Sequence, residues 1–290
     1  MLADVLPLLR CPHCGRSLAA DEASVRCPAG HSFDVARQGY LSLLPGDARL
    51  GSADTVAMVA ARERFLGAAH FEPLAQALTA EASRALAPGP DGAVLDLGAG
   101  TGWYLGRTLE RAPGRAGLAL DLSKHALRRA ARAHERIGAV AADAWRRLPV
   151  RDAAIALALS VFAPRNGAEL ARVLQPGGTL VVVTPSDRHL IELIEVLPLL
   201  SVDEQKRERL TAQLDPNLRR VRESELEWTL ELGPAEVRDI ITMGPSARHA
   251  DPAVLERGIA ALPEPVAVTA SVEISAWLPS AGAPVRGRAV

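Results

Sequence analysis

Short, unbroken apolar runs recur through the middle of the chain, each followed by a more polar stretch with helical periodicity. They are AVLDLG (93–98), LALDLS (118–123), GAVAAD (138–143), AIALALSVF (154–162) and GTLVVVTP (178–185). Runs of this length without alternation are buried on both faces, and strands that alternate with helices imply a parallel sheet with right-handed crossovers. Past Asp187 helical patterns return. Two alternating segments follow, LEWTLEL (226–232) and VAVTASVEISAWL (266–278), expected as antiparallel additions at one edge of the sheet. The expected total is about seven strands.

Ahead of these runs, helical patterns cover Val56 to Leu66 and Phe71 to Ala87, separated by Gly67 and stopped at PGPDG. Earlier still, FDVARQGYLSLL (33–44) alternates as a small sheet would, and PGDARLGSADT (45–55) is rich in Pro, Gly and Asp. The expected division is a small unit at 1–45, a linker with helices at 46–90, an α/β domain at 91–280 and a loose tail at 281–290. With the Pro/Gly stretch between them, the first unit and the α/β domain are expected to keep separate cores.

A length of 290 residues suits roughly two domains. The apolar share of 48% supplies a packed core, yet no run reaches the ~20 apolar residues that a membrane span requires. The N-terminus lacks a basic flank, a long apolar run and a small-residue cleavage site, so the chain reads as cytoplasmic with reduced cysteines. A net charge of −1 does not advertise a nucleic-acid partner; only local patches would serve one. Two exist: the basic helix LRRAARAHER (127–136), which by itself also reads as a solvated outer face, and the arginines 10, 16, 26 and 37 around the cysteines.

All three cysteines fall in CPHCGRSLAADEASVRCPAGH (11–31), as Cys11-x2-Cys14, twelve residues, then Cys27-x3-His31. Three cysteines cannot all pair within one chain, whereas two close ligand pairs suit tetrahedral zinc. A redox pair is the competing reading, but such motifs open a helix in a thioredoxin-like unit, and this one opens a turn-rich segment. The expected ligands are Cys11, Cys14, Cys27 and His31, with His13 a surface histidine inside the knuckle turn. About 45 residues build too small a core unaided, so zinc coordination supplies folding energy.

The stretch VLDLGAGTGWY (94–104) joins the first strand to its helix. Glycines 98, 100 and 102, with Thr101 between the last two, let backbone amides approach a ligand at the carboxyl ends of the strands. The spacing is G-x-G-x-G rather than the G-x-G-x-x-G of dinucleotide enzymes. Asp96 precedes the loop on the strand; Asp121 ends the second strand, placed for ribose hydroxyls, and Asp143 ends the third, near where an adenine amino group would lie. Together with LQPGGTLVVVTP (174–185), this set resembles the seven-stranded, Rossmann-like class I S-adenosylmethionine-dependent methyltransferases.

CPHC…CPAGH, FDVARQGYLSLL, MVAARERFLGAAHFEPL (58–74), VFAPRN (161–166), TPSDRHL (184–190) and ITMGPSARH (241–249) together resemble one family over nearly the whole chain. It is the guanine-N1 methyltransferases of large-subunit (23S) ribosomal RNA, including the branch that confers tylosin-type macrolide resistance. The resemblance implies S-adenosylmethionine and a structural zinc ion, a 23S rRNA hairpin as substrate, and a homodimer whose cleft accommodates that hairpin. It also places Phe71 and His189 where the family contacts the cofactor, and Arg62 where it meets the methionine carboxylate; the bland readings are a core aromatic, a capping or surface histidine and a salt bridge.

Guanine N1 carries a proton that must leave as the methyl arrives, with charge developing on O6. The loop SVFAPRN is the natural place for this: Phe162 to stack on an extruded base, Arg165 and Asn166 to address its polar edge. Asn166 reads equally well as an N-cap for GAELARVL. His249 is the candidate acid or base. Two rival functions remain: a small-molecule methyltransferase that retains the ribbon, and a catalytically silent ribosome-binding protein, against which the intact GAGTG, Asp121 and Asp143 argue.

Overall fold

The computed structural model describes residues 2–48, 51, 53–87, 89–199, 212–215, 217–248 and 251–280. A short helix α1 (Leu2–Val5) leads into three antiparallel strands, β1 (Ala19–Asp21), β2 (Ser24–Arg26) and β3 (Ser32–Asp34). The main sheet holds β4 (Tyr40–Ser42), β5 (Ala93–Leu97), β6 (Gly117–Asp121), β7 (Ile137–Ala141), β8 (Ile155–Val161), β9 (Leu174–Pro185), β10 (Leu218–Leu232) and β11 (Val266–Pro279). Its order is β10-β11-β9-β8-β5-β6-β7-β4. Strands β4 to β9 run parallel to one another, while β11 pairs antiparallel with both β9 and β10.

All five apolar runs are strands. Every residue of β5, β7 and β8 is buried, as strands covered on both faces must be. The alternating segments form the expected antiparallel edge, and β10 starts eight residues before the alternation does. Its charged first half pairs with β11 from Leu218↔Pro279 onward, through a bulge at Arg220/Arg222.

Helices α2 (Val56–Gly67), α3 (Glu72–Leu86), α4 (Trp103–Glu110) and α5 (Lys124–Ala133) belong to one face, where Phe65, Leu74, Leu105 and Leu127 share a buried cluster with Val94 and Leu157. Thr55 caps α2 by accepting from the Met58 amide at 3.3 Å, and Ser123 caps α5 by accepting from that of Ala126 at 3.3 Å. Helix α6 (Gly167–Val173) lies on the opposite face.

The seven strands expected of the α/β domain are β5 to β11, and Tyr40–Ser42 joins their sheet as an eighth by pairing in parallel with Ala139–Ala141. One expectation needs correction: the N-terminal unit does not keep a separate core. Val5, Leu9, Leu18, Val25 and Phe33 belong to the same buried cluster as Leu118, Val140, Leu148 and Val150. The Arg10 amide donates to the Pro149 carbonyl at 3.0 Å, the Arg151 amide to that of Leu8 at 2.8 Å, and Arg10 pairs with Asp152 at 3.2 Å. The physical reason is area: a three-stranded ribbon has too little apolar surface to bury against itself, and the sheet offers the rest.

Candidate active site

The cysteine-histidine cluster forms at the knuckle turns around β1–β3. Its four ligand atoms lie within 4.8 Å of one another. Cys11 Sγ is 3.5 Å and Cys27 Sγ 3.3 Å from His31 Nδ1, and the Cys14 and Cys27 sulfurs are 3.6 Å apart. A tetrahedron with bonds of about 2.3 Å to sulfur and about 2.0 Å to nitrogen spaces its ligands by about 3.5–3.8 Å. The set fits zinc. His13 lies outside it, with its ring stacked on Phe33 at 5.8 Å.

Of the four ribbon arginines, Arg10 is turned inward to Asp152 and Arg26 pairs with Asp21 at 2.8 Å. Arg16 and Arg37 remain exposed.

At the carboxyl edge of the sheet, the loop 98–102 folds back with φ of +76°, +54° and +76° at Gly98, Gly100 and Gly102, and Thr101 is buried within it. A Cβ on Gly98 would lie 2.5 Å from that of Ala163, so glycine here lets the loop after β8 rest directly on the first loop. A Cβ on Gly100 would lie 2.9 Å from Arg62 Nη1. Arg62 therefore spans this loop, but its charge is matched by Asp54 at 2.7 Å and it also donates to the Met243 carbonyl at 2.9 Å. It is the salt-bridge reading, half buried, that the structure displays.

Asp121 accepts from the Gly100 amide at 2.8 Å and from the Ser123 amide at 2.7 Å. Burial nonetheless holds its carboxyl above the usual range, against the pull of those two amides. Asp96, 2% exposed on β5, is pushed up to about 7 by burial first and by Asp121 second. A buried carboxyl beside a partly buried one calls for a cationic, hydroxyl-bearing ligand. S-adenosylmethionine, with its ammonium, sulfonium and ribose, fits that donor set. Asp143 lies two residues past β7, where it accepts from the Trp145 amide at 2.9 Å.

Beside the loop stands an aromatic nest. Phe71 is 2% exposed, with ring centroids of Phe65, Trp228, Phe162 and His189 at 5.3, 5.5, 6.2 and 6.3 Å. Phe162, at φ +52°, is 40% exposed and lies 5.9 Å from His189. His189 Nδ1 accepts from the Ser271 amide at 3.2 Å, so the neutral ring carries its proton on Nε2. Trp228 was not singled out in the sequence; its position in an alternating strand signalled a face and nothing more.

Arg165 and Asn166 part company with Phe162. The Arg165 guanidinium is 8% exposed and donates through Nε and Nη2 to the Ala163 carbonyl at 3.2 and 2.8 Å; burial pushes its pKa down to about 10. Asn166 caps α6, its Oδ1 accepting from the Glu169 amide at 3.3 Å. Both line a separate cleft that Phe162 does not reach. His249 lies outside the described residues.

Comparison with known proteins adds to this geometry. A family model described as "RlmA, N-terminal" matches residues 9–49, and one described as "Methyltransferase domain" matches 94–178. A "Putative 23S rRNA (guanine-N(1)-)-methyltransferase" of Micromonospora griseorubida is 49% identical, covering 96% of this chain and 100% of its own length. The "23S rRNA (guanine(748)-N(1))-methyltransferase" of Streptomyces fradiae is 47% identical over 96% of this chain and 99% of its own. YxjB of Bacillus subtilis (strain 168), of the same description as the first, is 33% identical over 66% of this chain and 68% of its own.

Proposed function

The chain belongs to the 23S rRNA (guanine-N(1)-)-methyltransferase family, and from that premise we propose how its own residues perform the transfer. The protein is an S-adenosylmethionine-dependent methyltransferase that modifies N1 of a guanine in 23S rRNA. The observation that carries the site assignment is the contact of Ala163 with Gly98. It sets Phe162, the half-exposed ring of the nest, one residue from the cofactor loop.

When bound, S-adenosylmethionine supplies a methyl group on a sulfonium. Asp121 would take its ribose hydroxyls, Asp143 its adenine amino group and Asp96 its ammonium, with the turn of 98–102 backing its methionine end. Phe71 and His189 wall the reacting side. Phe162 offers a face on which an extruded guanine stacks, which orients N1 and lowers the entropic cost of in-line attack. His189, with its proton on Nε2, would donate toward charge developing on O6 while the N1 proton leaves to solvent. Arg62, paired with Asp54 at 2.7 Å, lies over Gly100, where the methionine carboxylate would come. Zinc on Cys11, Cys14, Cys27 and His31 holds the ribbon in shape and takes no part in the chemistry.

The substrate is a hairpin of 23S rRNA, engaged by a homodimer in the cytoplasm, and its methylation confers tylosin-type resistance. The test is tritiated-methyl transfer from S-adenosylmethionine to protein-free 23S rRNA, followed by nucleoside mass analysis. Label in 1-methylguanosine is expected. Label in another nucleoside, or only in added small molecules, would overturn the reading.

A further inference from the structure

The loop after β7 and the start of α6 enclose a cleft of about 240 Å³ that the reaction above does not use. Its walls include Trp145, Arg165, Asn166, Gln213 and Asn217. Three features set it apart from an ordinary surface dent.

Trp145 is 59% exposed, although the amide that carries it is fixed by Asp143 at 2.9 Å. A large apolar ring held in water forfeits the transfer free energy that burial would recover. Arg165 is the reverse case, a cation 8% exposed that among the described residues bonds only the Ala163 carbonyl, at two of its five donors. Among the described residues no carboxylate pairs with it. An unpaired buried guanidinium is costly unless something rich in acceptors reaches it. The remaining walls offer amide side chains. An open aromatic face, a guanidinium edge and amides together match a nucleobase: the ring stacks, and arginine reads the N7 and O6 acceptors of guanine.

The cleft also lies on the right path. Through Arg165 and Ala163 it shares the post-β8 loop that rests on Gly98. On its other side, Trp145 is followed by exposed Arg146 and Arg147, and then by the segment tied to the ribbon at Leu9↔Val150 and Arg10–Asp152. An RNA strand running from the ribbon to Phe162 passes over it.

We propose that this cleft is a second base pocket, which holds an unpaired guanine flanking the target nucleotide, stacked on Trp145 with its acceptor edge toward Arg165. It rests on the rRNA reading above and extends it from the modified base to its neighbour. The adenine of the cofactor is the competing occupant; it offers Arg165 one fewer acceptor, because N6 is a donor where guanine has O6.

The full zinc-loaded chain, wild type, Trp145→Ala and Trp145→Phe, is assayed for methylation of protein-free 23S rRNA and for S-adenosylmethionine binding by calorimetry. Loss of one stacked base weakens RNA binding about fivefold or more, so Trp145→Ala raises KM for RNA by that factor. Trp145→Phe stays near wild type, since it retains a ring, and cofactor affinity is the same in all three. Unchanged KM in Trp145→Ala overturns the pocket. So does a weakened cofactor Kd with unchanged RNA KM, which makes it the adenine site. Absence of transfer by the wild type strikes the functional reading itself, and the pocket with it.

Discussion

Replacing Asp96 by Asn tests the electrostatics of the site directly, because the change keeps the shape of the side chain and removes its charge. In the folded chain the carboxyl rises from 3.8 to about 7, chiefly through burial. At about 1.4 kcal/mol for each pH unit, that rise corresponds to about 4 kcal/mol of folding free energy lost once the group ionises. The sign follows from proton counting. Below pH 3.8 the folded and unfolded chains both hold the proton and the loss is absent. Between 3.8 and about 7 the folded chain holds a proton that the unfolded chain has released, so the wild type loses stability as pH rises. Above about 7 both are ionised and the loss is complete. Urea unfolding of wild type and Asp96→Asn without cofactor, across this range, should show the variant gaining on the wild type up to pH 7 and holding its lead above. A difference that is the same at pH 5 and pH 8 would refute the reasoning. With cofactor the order reverses. A cationic ligand prefers the carboxylate, so wild-type affinity for S-adenosylmethionine should rise up to about tenfold per pH unit below 7. The variant should bind more weakly, with no such dependence.

Chelation of zinc, or Cys14→Ser, should destabilise the entire chain in one calorimetric transition, because the ribbon and the sheet share a core. Two well-separated transitions would speak against that continuity. The loss is large, since structural zinc is worth about 10–16 kcal/mol in zinc-finger peptides. Asp121→Ala should weaken S-adenosylmethionine binding by about 1.5–3 kcal/mol in calorimetry, the typical cost of lost hydrogen bonds to a charged group. Affinity equal to wild type would mean that the carboxylate serves only the Gly100 and Ser123 amides.

What could be read from the sequence was what local spacing dictates. The zinc ligands lie within twenty-one residues and converge as expected, because knuckle turns leave few other arrangements. The five strands were legible because both faces are largely covered and polar residues such as Asp96, Asp121 and Ser160 are few within them. Tertiary decisions were not legible. Tyr40–Ser42 is only three residues long, and its partner Ala139–Ala141 lies about a hundred positions on, so no local pattern marks the pairing. Arg165 and Asn166 were expected beside Phe162, but a one-residue turn at Phe162, with φ +52°, sends the ring and the two polar side chains to different clefts. Asn166 followed its capping propensity instead. Nor does the text AWRR at 144–147 say that its tryptophan stands in water; only the path of the loop toward the ribbon does.

The parallel pairing of Tyr40–Ser42 with the sheet has a bearing on the proposal that the ribbon helps position the RNA. A ribbon hung on a peptide leash would sample many distances from the methyl group, and its RNA preference would broaden as the leash lengthened. Here the ribbon is fastened upstream of the Pro/Gly stretch by main-chain hydrogen bonds to the sheet that also carries the cofactor loop. The span from zinc to sulfonium is therefore a property of strand geometry, and the stretch from Pro45 to Asp54 sets no reach at all. Adding glycines to that stretch should leave the methylated nucleotide unchanged, while a one-residue slip at the strand would move the ruler itself.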